Sequence, residues 1–425
     1  MKKLSIAGNK IIGSEIIKIS QQIKGISSSK KVSNLTIGDF NSIIWPIPAS
    51  LRDHIIDCYE ENLTSYPNSQ GELPLREAVA THIEKRFDVQ CSPEEILIGG
   101  GVRPLIYTVY KATVNPGEGV IYPTPSWNNN HYCFLHQAEK QEIPCLPENS
   151  FFPTVDEIRQ KLQDPESSET SLICICSPQN PTGRVIDPSV LKGICDLIIN
   201  ENREREKRDL RPVYLFFDQI YSDLTIEGKF VHPLKLSPDI RPYLICADGI
   251  SKSLNATGVR VGWLFGPSDV IGKMTEILSH IGAWAPKAEQ NAVERFIRIN
   301  HDQYLDHISD VVSAYQKIID GICTKIEQMK ERGYSVDCQR PEGGIYISIY
   351  LGYVHYFGST EDYISYLINE CGLGIVPFEY FGANHSKGWF RISIGNIAES
   401  NLDYVIESIE TAIQKSSSYS NSQIF

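Results

Sequence analysis

A chain of 425 residues is two to three times the common single-domain size, so one large domain and a smaller one are expected. With 41% hydrophobic and 22% charged residues it can build a sizeable core, and its net charge of −12 argues against nucleic acid or an anionic membrane surface as partner. The eleven cysteines have no repeated spacing, no apolar h-region follows Met1-Lys-Lys3, and no window nears eighteen consecutive apolar residues, so a soluble cytoplasmic protein is expected.

In chain order, residues 1–50 mix short apolar stretches with Ser, Gly and Pro and read as an arm or cap. Leu75, Val79, Ile83 and Phe87 recur every four residues, which predicts a helix. Ile96-Leu-Ile98 is a short strand, broken by Gly99-Gly-Gly101 before a second helical pattern through Leu105 and Val109. Leu172–Cys176, Val213–Phe217, Leu244–Ala247 and Val261–Phe265 are near-continuous apolar runs, the pattern of strands buried on both faces. The gaps have room for helices, Leu191–Ile199 among them, so an α/β domain with a mostly parallel, helix-flanked sheet is expected. Cys174 and Cys176 lie inside one of these runs with no second Cys or His pair at zinc spacing, so no metal is expected. The charged stretch Glu201–Arg211 reads as a solvated helix end and loop.

Ile308, Val311, Tyr315, Ile318, Ile322, Ile326 and Met329 form the stripe of one long helix, closed by Gly333. Beyond it, 344–350 and 390–394 alternate apolar and polar residues, predicting strands with one covered face. The serine-rich stretch from Ser416 reads as a frayed tail. The resulting division is an arm and part of the small domain over 1–50, a large domain over 51–320 and a small domain over 321–425.

The chemistry-bearing residues cluster at strand ends, where ligands of open α/β sheets bind. Lys252, in Gly249-Ile-Ser-Lys-Ser253, follows one apolar run, and Arg260 stands immediately before the next. Most lysines lie on the surface, but a lysine and an arginine at one sheet edge suit an anion and a carbonyl together. A pyridoxal phosphate held as a Schiff base supplies both. Asp218 ends another run, with Tyr221 three residues on. A buried carboxylate needs a partner, which could be a cap, a salt bridge or the cofactor's protonated ring nitrogen. Ser177-Pro-Gln-Asn-Pro-Thr-Gly183 is by composition a turn, and Gly99-Gly-Gly101 opens a helix whose free amides suit a phosphate.

Taken together the chain resembles the fold-type I, class I/II pyridoxal-phosphate aminotransferases, of aspartate/aromatic type, over roughly residues 32–400. The resemblance rests on Tyr66-Pro-Asn-Ser-Gln-Gly-Glu-Leu-Pro-Leu-Arg76, Asn180-Pro-Thr-Gly183, Asp218-Gln-Ile-Tyr221, Ser251-Lys252 with Thr257-Gly-Val-Arg260, Pro341-Glu-Gly-Gly-Ile-Tyr346 and Phe390-Arg-Ile-Ser393. It implies a three-layer α/β/α large domain, a smaller α/β domain and a homodimer with shared active sites. Lys252 would form the Schiff base and shuttle the proton, Asp218 would hold the ring nitrogen, and Asn180 and Tyr221 the ring oxygen. Gly100, Gly101, Val102, Ser251 and Arg260 would cradle the phosphate, with Tyr66 reaching over from the partner. Trp127, unless a core residue, would stack on the ring, and Arg391 would clamp the substrate carboxylate beneath Gly38, with Asn180 beside it.

One position departs from the pattern. Val102 stands where aspartate-type relatives often carry a lysine for the substrate's second carboxylate, and Arg103 and Lys287 are only neighbouring candidates. The resemblance thus implies transamination between an amino acid and a 2-oxo acid. A lyase or synthase of the same fold, such as a C–S lyase, is the alternative, and a cofactor-bearing regulatory module a distant third.

Overall fold

The computed structural model describes residues 4–11, 13, 15–26, 31–226 and 229–422; Met1–Lys3, which entered the reading of the N-terminus, lie outside them. Seven strands form the central sheet: β1 (Ile96–Gly99), β2 (Gly119–Thr124), β3 (Glu139–Pro144), β4 (Thr170–Cys176), β5 (Tyr214–Asp218), β6 (Leu244–Gly249) and β7 (Gly262–Phe265). Their order is β1-β7-β6-β5-β4-β2-β3, parallel from β6 through β3, with β7 antiparallel to both of its neighbours. The apolar runs read from the sequence are these strands. β2 and β6 are buried along their whole length, because helices cover both faces.

On one face, helices Val102–Thr113 and Ser268–Ile281 bury Leu105, Val109, Met274 and Leu278 against Leu97, Val120 and Leu264. On the other, Leu73–Phe87, Pro188–Lys207 and Lys287–Ile299 pack Val79, Ile194 and Phe296 against Ile98, Ile173 and Phe217. The edge strand β3 keeps Glu139, Lys140 and Pro144 exposed, which discourages pairing with another chain.

A second, antiparallel sheet has the order β10-β11-β9-β8, from β8 (Val336–Gln339), β9 (Tyr346–Leu351), β10 (Val376–Pro377) and β11 (Trp389–Ser393). Helices His301–Glu331 and Leu402–Ser422 pack against it, and helix Glu15–Ile26 adds Ile19 and Ile23 to the same core. The long helix serves both cores: Tyr304 and Ile308 belong to the first, Val311 to Met329 to the second.

Three expectations are corrected. The alternating strands do not have one covered face; β11 is buried throughout and β9 nearly so. Their polar face turns toward the large sheet rather than water, with Ser348 Oγ donating to Thr182 O at 3.2 Å. The stretch from Ser416 is not a frayed tail among the described residues. It completes the last helix, where Tyr363 donates to the buried Ser416 Oγ at 3.1 Å and Tyr419 stacks on Phe357 at 4.5 Å. Small serine side chains let the helix approach closely while Tyr419 supplies the apolar contact. Finally, Glu201–Arg211 is not solvated throughout. Arg205 is buried and bonds Glu201, Glu169 and two backbone carbonyls, because the loop before β5 folds back over it.

Candidate active site

The register of the parallel strands brings the separate sequence motifs to one edge. Cys176 lies opposite Asp218 and Asp218 opposite Ala247, so the turn carrying Asn180, the end of β5 and the turn carrying Lys252 are neighbours. They line a cavity of about 590 Å³, within the range of small-molecule sites. Val102, Trp127, Asn180, Asp218, Tyr221, Ser251, Lys252, Arg260, Gly38 and Arg391 all border it. Gly100 and Gly101 sit just behind Arg260.

Lys252 rides on the short helix Ile250–Ser253 and donates from Nζ to the Gly38 carbonyl at 2.7 Å. Burial, with help from Arg391, Arg103 and Arg260, holds its ammonium down at about 8; Asp39 opposes this. Asp218 is pushed up to about 6, because burial disfavours its anion and the N–H of Ile220, at 3.2 Å, offsets this only in part. Both groups border the same cavity with their charged forms disfavoured by burial, an arrangement typical of functional clefts.

Arg260 is held at φ 62° and donates to Thr257 O and Gly100 O, both at 2.7 Å. Gly101 has φ 85°, and a Cβ there would strike the Arg260 guanidinium, so only glycine permits this approach. With Gly101 as its N-cap, helix Val102–Thr113 offers its free amides beside that guanidinium.

At the opposite wall Arg391, 2% exposed, donates to Asn180 Oδ1 at 3.1 Å and to Thr36 O at 2.6 Å. Its guanidinium lies over the rings of Tyr346 and Phe381, at 4.5 and 4.9 Å, and its Nε has no acceptor among the described residues. Register puts Ser348 opposite Arg391 and Tyr346 opposite Ser393, so one face of the small sheet supplies this wall. Segment Leu35–Asp39 links the two walls: Ser393 N donates to Leu35 O at 2.9 Å and Thr257 Oγ1 to Asp39 Oδ1 at 2.7 Å.

Tyr66 and the candidate Lys287 do not border the cavity: Tyr66 is 85% exposed and edge-on to Trp284 at 5.6 Å, and Lys287 donates to Ser65 Oγ at 3.3 Å. Sequence reasoning gave no role to Tyr346, Thr257 or Asp39, nor to Ile16, Ile17 and Ile37, all of which border the cavity, nor to Phe381 beside Arg391. Tyr346 stood within a quoted motif; the three isoleucines carry no signal separable from an ordinary amphipathic pattern.

The residues fit pyridoxal phosphate on this structure's own terms. A glycine cradle beside a guanidinium suits a phosphate, and among the described residues the Asp218 carboxylate meets no cation and a buried arginine N–H finds no acceptor. The comparisons agree. An aspartate aminotransferase of Bacillus sp. (strain YM-2) is 26% identical over 378 residues, 88% of each chain, and one of Sulfolobus acidocaldarius is 24% identical, covering 92% of this chain and 91% of that one. Among solved structures, the aspartate aminotransferase from Rhizobium meliloti superposes with a TM-score of 0.85 at 20% identity, covering 98% of this chain and 99% of that one. The Thermus thermophilus enzyme with maleate gives 0.83 at 22%, covering 97% and 100%. These likenesses show a shared fold. The family described as aminotransferase class I and II matches residues 30–409, and the chain belongs to that family of pyridoxal-phosphate-dependent transaminases.

Proposed function

We propose that Lys252 carries the amino-group transfer in this chain, in a cradle made by Asp218, Asn180, Tyr221, Ser251, Arg260 and the Gly100–Val102 turn. Bound there, pyridoxal phosphate supplies an aldehyde to capture the amino group and a ring to spread the electron pair left when the substrate Cα loses its proton. Asp218 would hold a positive charge at the ring nitrogen, and that cation would relieve the cost that now lifts its carboxyl to about 6. Lys252 would take the Cα proton on Nζ. An amine held at about 8 is a competent base near neutral pH, where an ordinary lysine is almost wholly protonated. The Gly38 carbonyl gives the resulting ammonium a resting partner. Arg391 would bind the substrate carboxylate, which satisfies its unpartnered Nε. The observation that carries this reading is the meeting of Lys252, Asp218, Arg260 and Arg391 around one cavity.

For the substrate side chain we favour an anionic group. Val102 offers no charge, but the Arg103 guanidinium borders the same cavity, 4.7 Å from the Trp127 ring, and pairs with no carboxylate among the described residues. Aspartate and prephenate, named for the relatives, and maleate, bound in a solved neighbour, all carry two carboxylates. The exposed Tyr66 supports a homodimer in which the partner subunit's Tyr66 completes the phosphate site. The purified protein should be yellow, and single amino acids should bleach the band reversibly, acidic ones at the lowest concentration. Pyruvate and ammonia released from one amino acid without a 2-oxo acid acceptor would favour the lyase instead.

A further inference from the structure

Tyr346 is 2% exposed, and its hydroxyl sits where the two walls of the site meet. It lies 2.9 Å from Tyr221 Oη and 3.3 Å from Asn180 Nδ2, and a Cβ on Gly38 would collide with it. Its ring lies under the Arg391 guanidinium, which in turn donates to Asn180 Oδ1.

Counting hydrogens gives these contacts a direction. An amide nitrogen only donates, so Asn180 Nδ2 donates to Tyr346 Oη, and its second N–H stays available. Each tyrosine hydroxyl has one hydrogen. If Tyr221 is to give its own to the cofactor's ring oxygen, then Tyr346 must give its hydrogen to Tyr221. We propose that Tyr346 is a positioning residue that completes a one-way hydrogen-bond chain, Arg391 to Asn180 to Tyr346 to Tyr221, running from the carboxylate clamp to the cofactor's ring oxygen. The proposal rests on the reading of the site given above and adds a residue to it.

The charged and titratable groups facing Tyr346 are Arg391 from β11, Tyr221 beyond β5, Cys176 at the end of β4 and Asp39 beside Gly38. Burial raises the Tyr346 hydroxyl above the usual tyrosine range against the pull of Arg391, so it keeps the hydrogen it must donate. A hydroxyl that accepts a hydrogen bond becomes a stronger donor. Tyr221, so polarised, would better stabilise negative charge on the ring oxygen, and the Lys252 nitrogen linked to the cofactor would give up its proton at a lower pH.

The test is a pH titration of the visible absorption band of the holoenzyme in four forms: wild type, Tyr346→Phe, Tyr221→Phe and the double variant. Phenylalanine keeps the ring beneath Arg391, so the fold is retained. Tyr346→Phe should raise the midpoint by ~0.3–1 pH unit, and in the Tyr221→Phe background it should move it no further. Placing 3-fluorotyrosine at 346, a stronger donor of the same shape, should lower the midpoint. An unchanged midpoint in Tyr346→Phe, or an equal shift with Tyr221 already removed, overturns the chain while leaving the parent reading intact. A wild-type protein with no visible band at all overturns both.

Discussion

The two walls of the active site are built in different ways. The cofactor wall comes from adjacent strand ends of one sheet, where register alone makes Asn180, Asp218 and Lys252 neighbours. The substrate wall is assembled from distant pieces: Arg391 on the small sheet, Gly38 on the linking segment, Ile16 and Ile17 on an N-terminal helix and Arg103 at a helix start. The contrast separates reaction from selectivity. On the roles proposed above, the residues that any transamination needs are tied into the continuous core, while those that would meet the substrate lie on elements outside that sheet.

Substitutions at the first wall should abolish chemistry; those at the second should redirect it. The largest effect is expected for Lys252→Ala, a loss of at least ~10³-fold in kcat together with the visible band, measured by stopped-flow half-reactions. Asp218→Asn should lower kcat by roughly 10²-fold or more and have an opposite effect on the cofactor-free protein. Its carboxyl titrates at about 6 instead of near 3.8, so the folded chain binds more protons between those values. That contribution to stability is present below pH 3.8 and lost as the pH rises through 6. At pH 8 the asparagine should therefore stabilise the cofactor-free chain by up to about 3 kcal/mol, seen as a higher Tm that is largely absent at pH 4.

At the second wall, Arg391→Ala should cost about 10–100-fold in kcat/KM, mostly through KM, with the visible band retained. A loss of the band in that variant would merge the two walls into one. Arg103→Gln should have the smallest effect. Its exposed guanidinium supports a loss of about 2–5-fold for acidic amino acids and none for apolar ones. Equal losses for both classes would remove Arg103 from substrate selection.

The same contrast explains what could be read without coordinates. Asp218 ends an apolar run, Lys252 follows one and Arg260 precedes one, so strand-end placement follows from hydrophobic pattern and parallel topology. Arg391 and Tyr346 also lie on legible strands, but alternation indicates two faces without telling which is covered or by what. Pairing with water was the simpler expectation for their polar face, and the large sheet takes that place instead. Tyr346 was hidden for this reason: its neighbours Tyr221, Asn180 and Gly38 are 125, 166 and about 300 residues away along the chain. Arg205 and Ser416 were misread likewise, since polar composition does not reveal a tertiary partner.

The linking segment has a consequence for how the protein comes into being. Thr36 emerges from the ribosome early, yet the guanidinium that grips its carbonyl belongs to a residue made 355 positions later. By the time Arg260 has been added, every strand end of the cofactor wall has been synthesised. A chain that stalls before residue 391 therefore carries a seat for the cofactor and no grip on a substrate. On the roles proposed above, such a fragment would hold the cofactor, linked to Lys252, open to any passing amine, so completion of the last strand would also be the moment at which the site becomes discriminating.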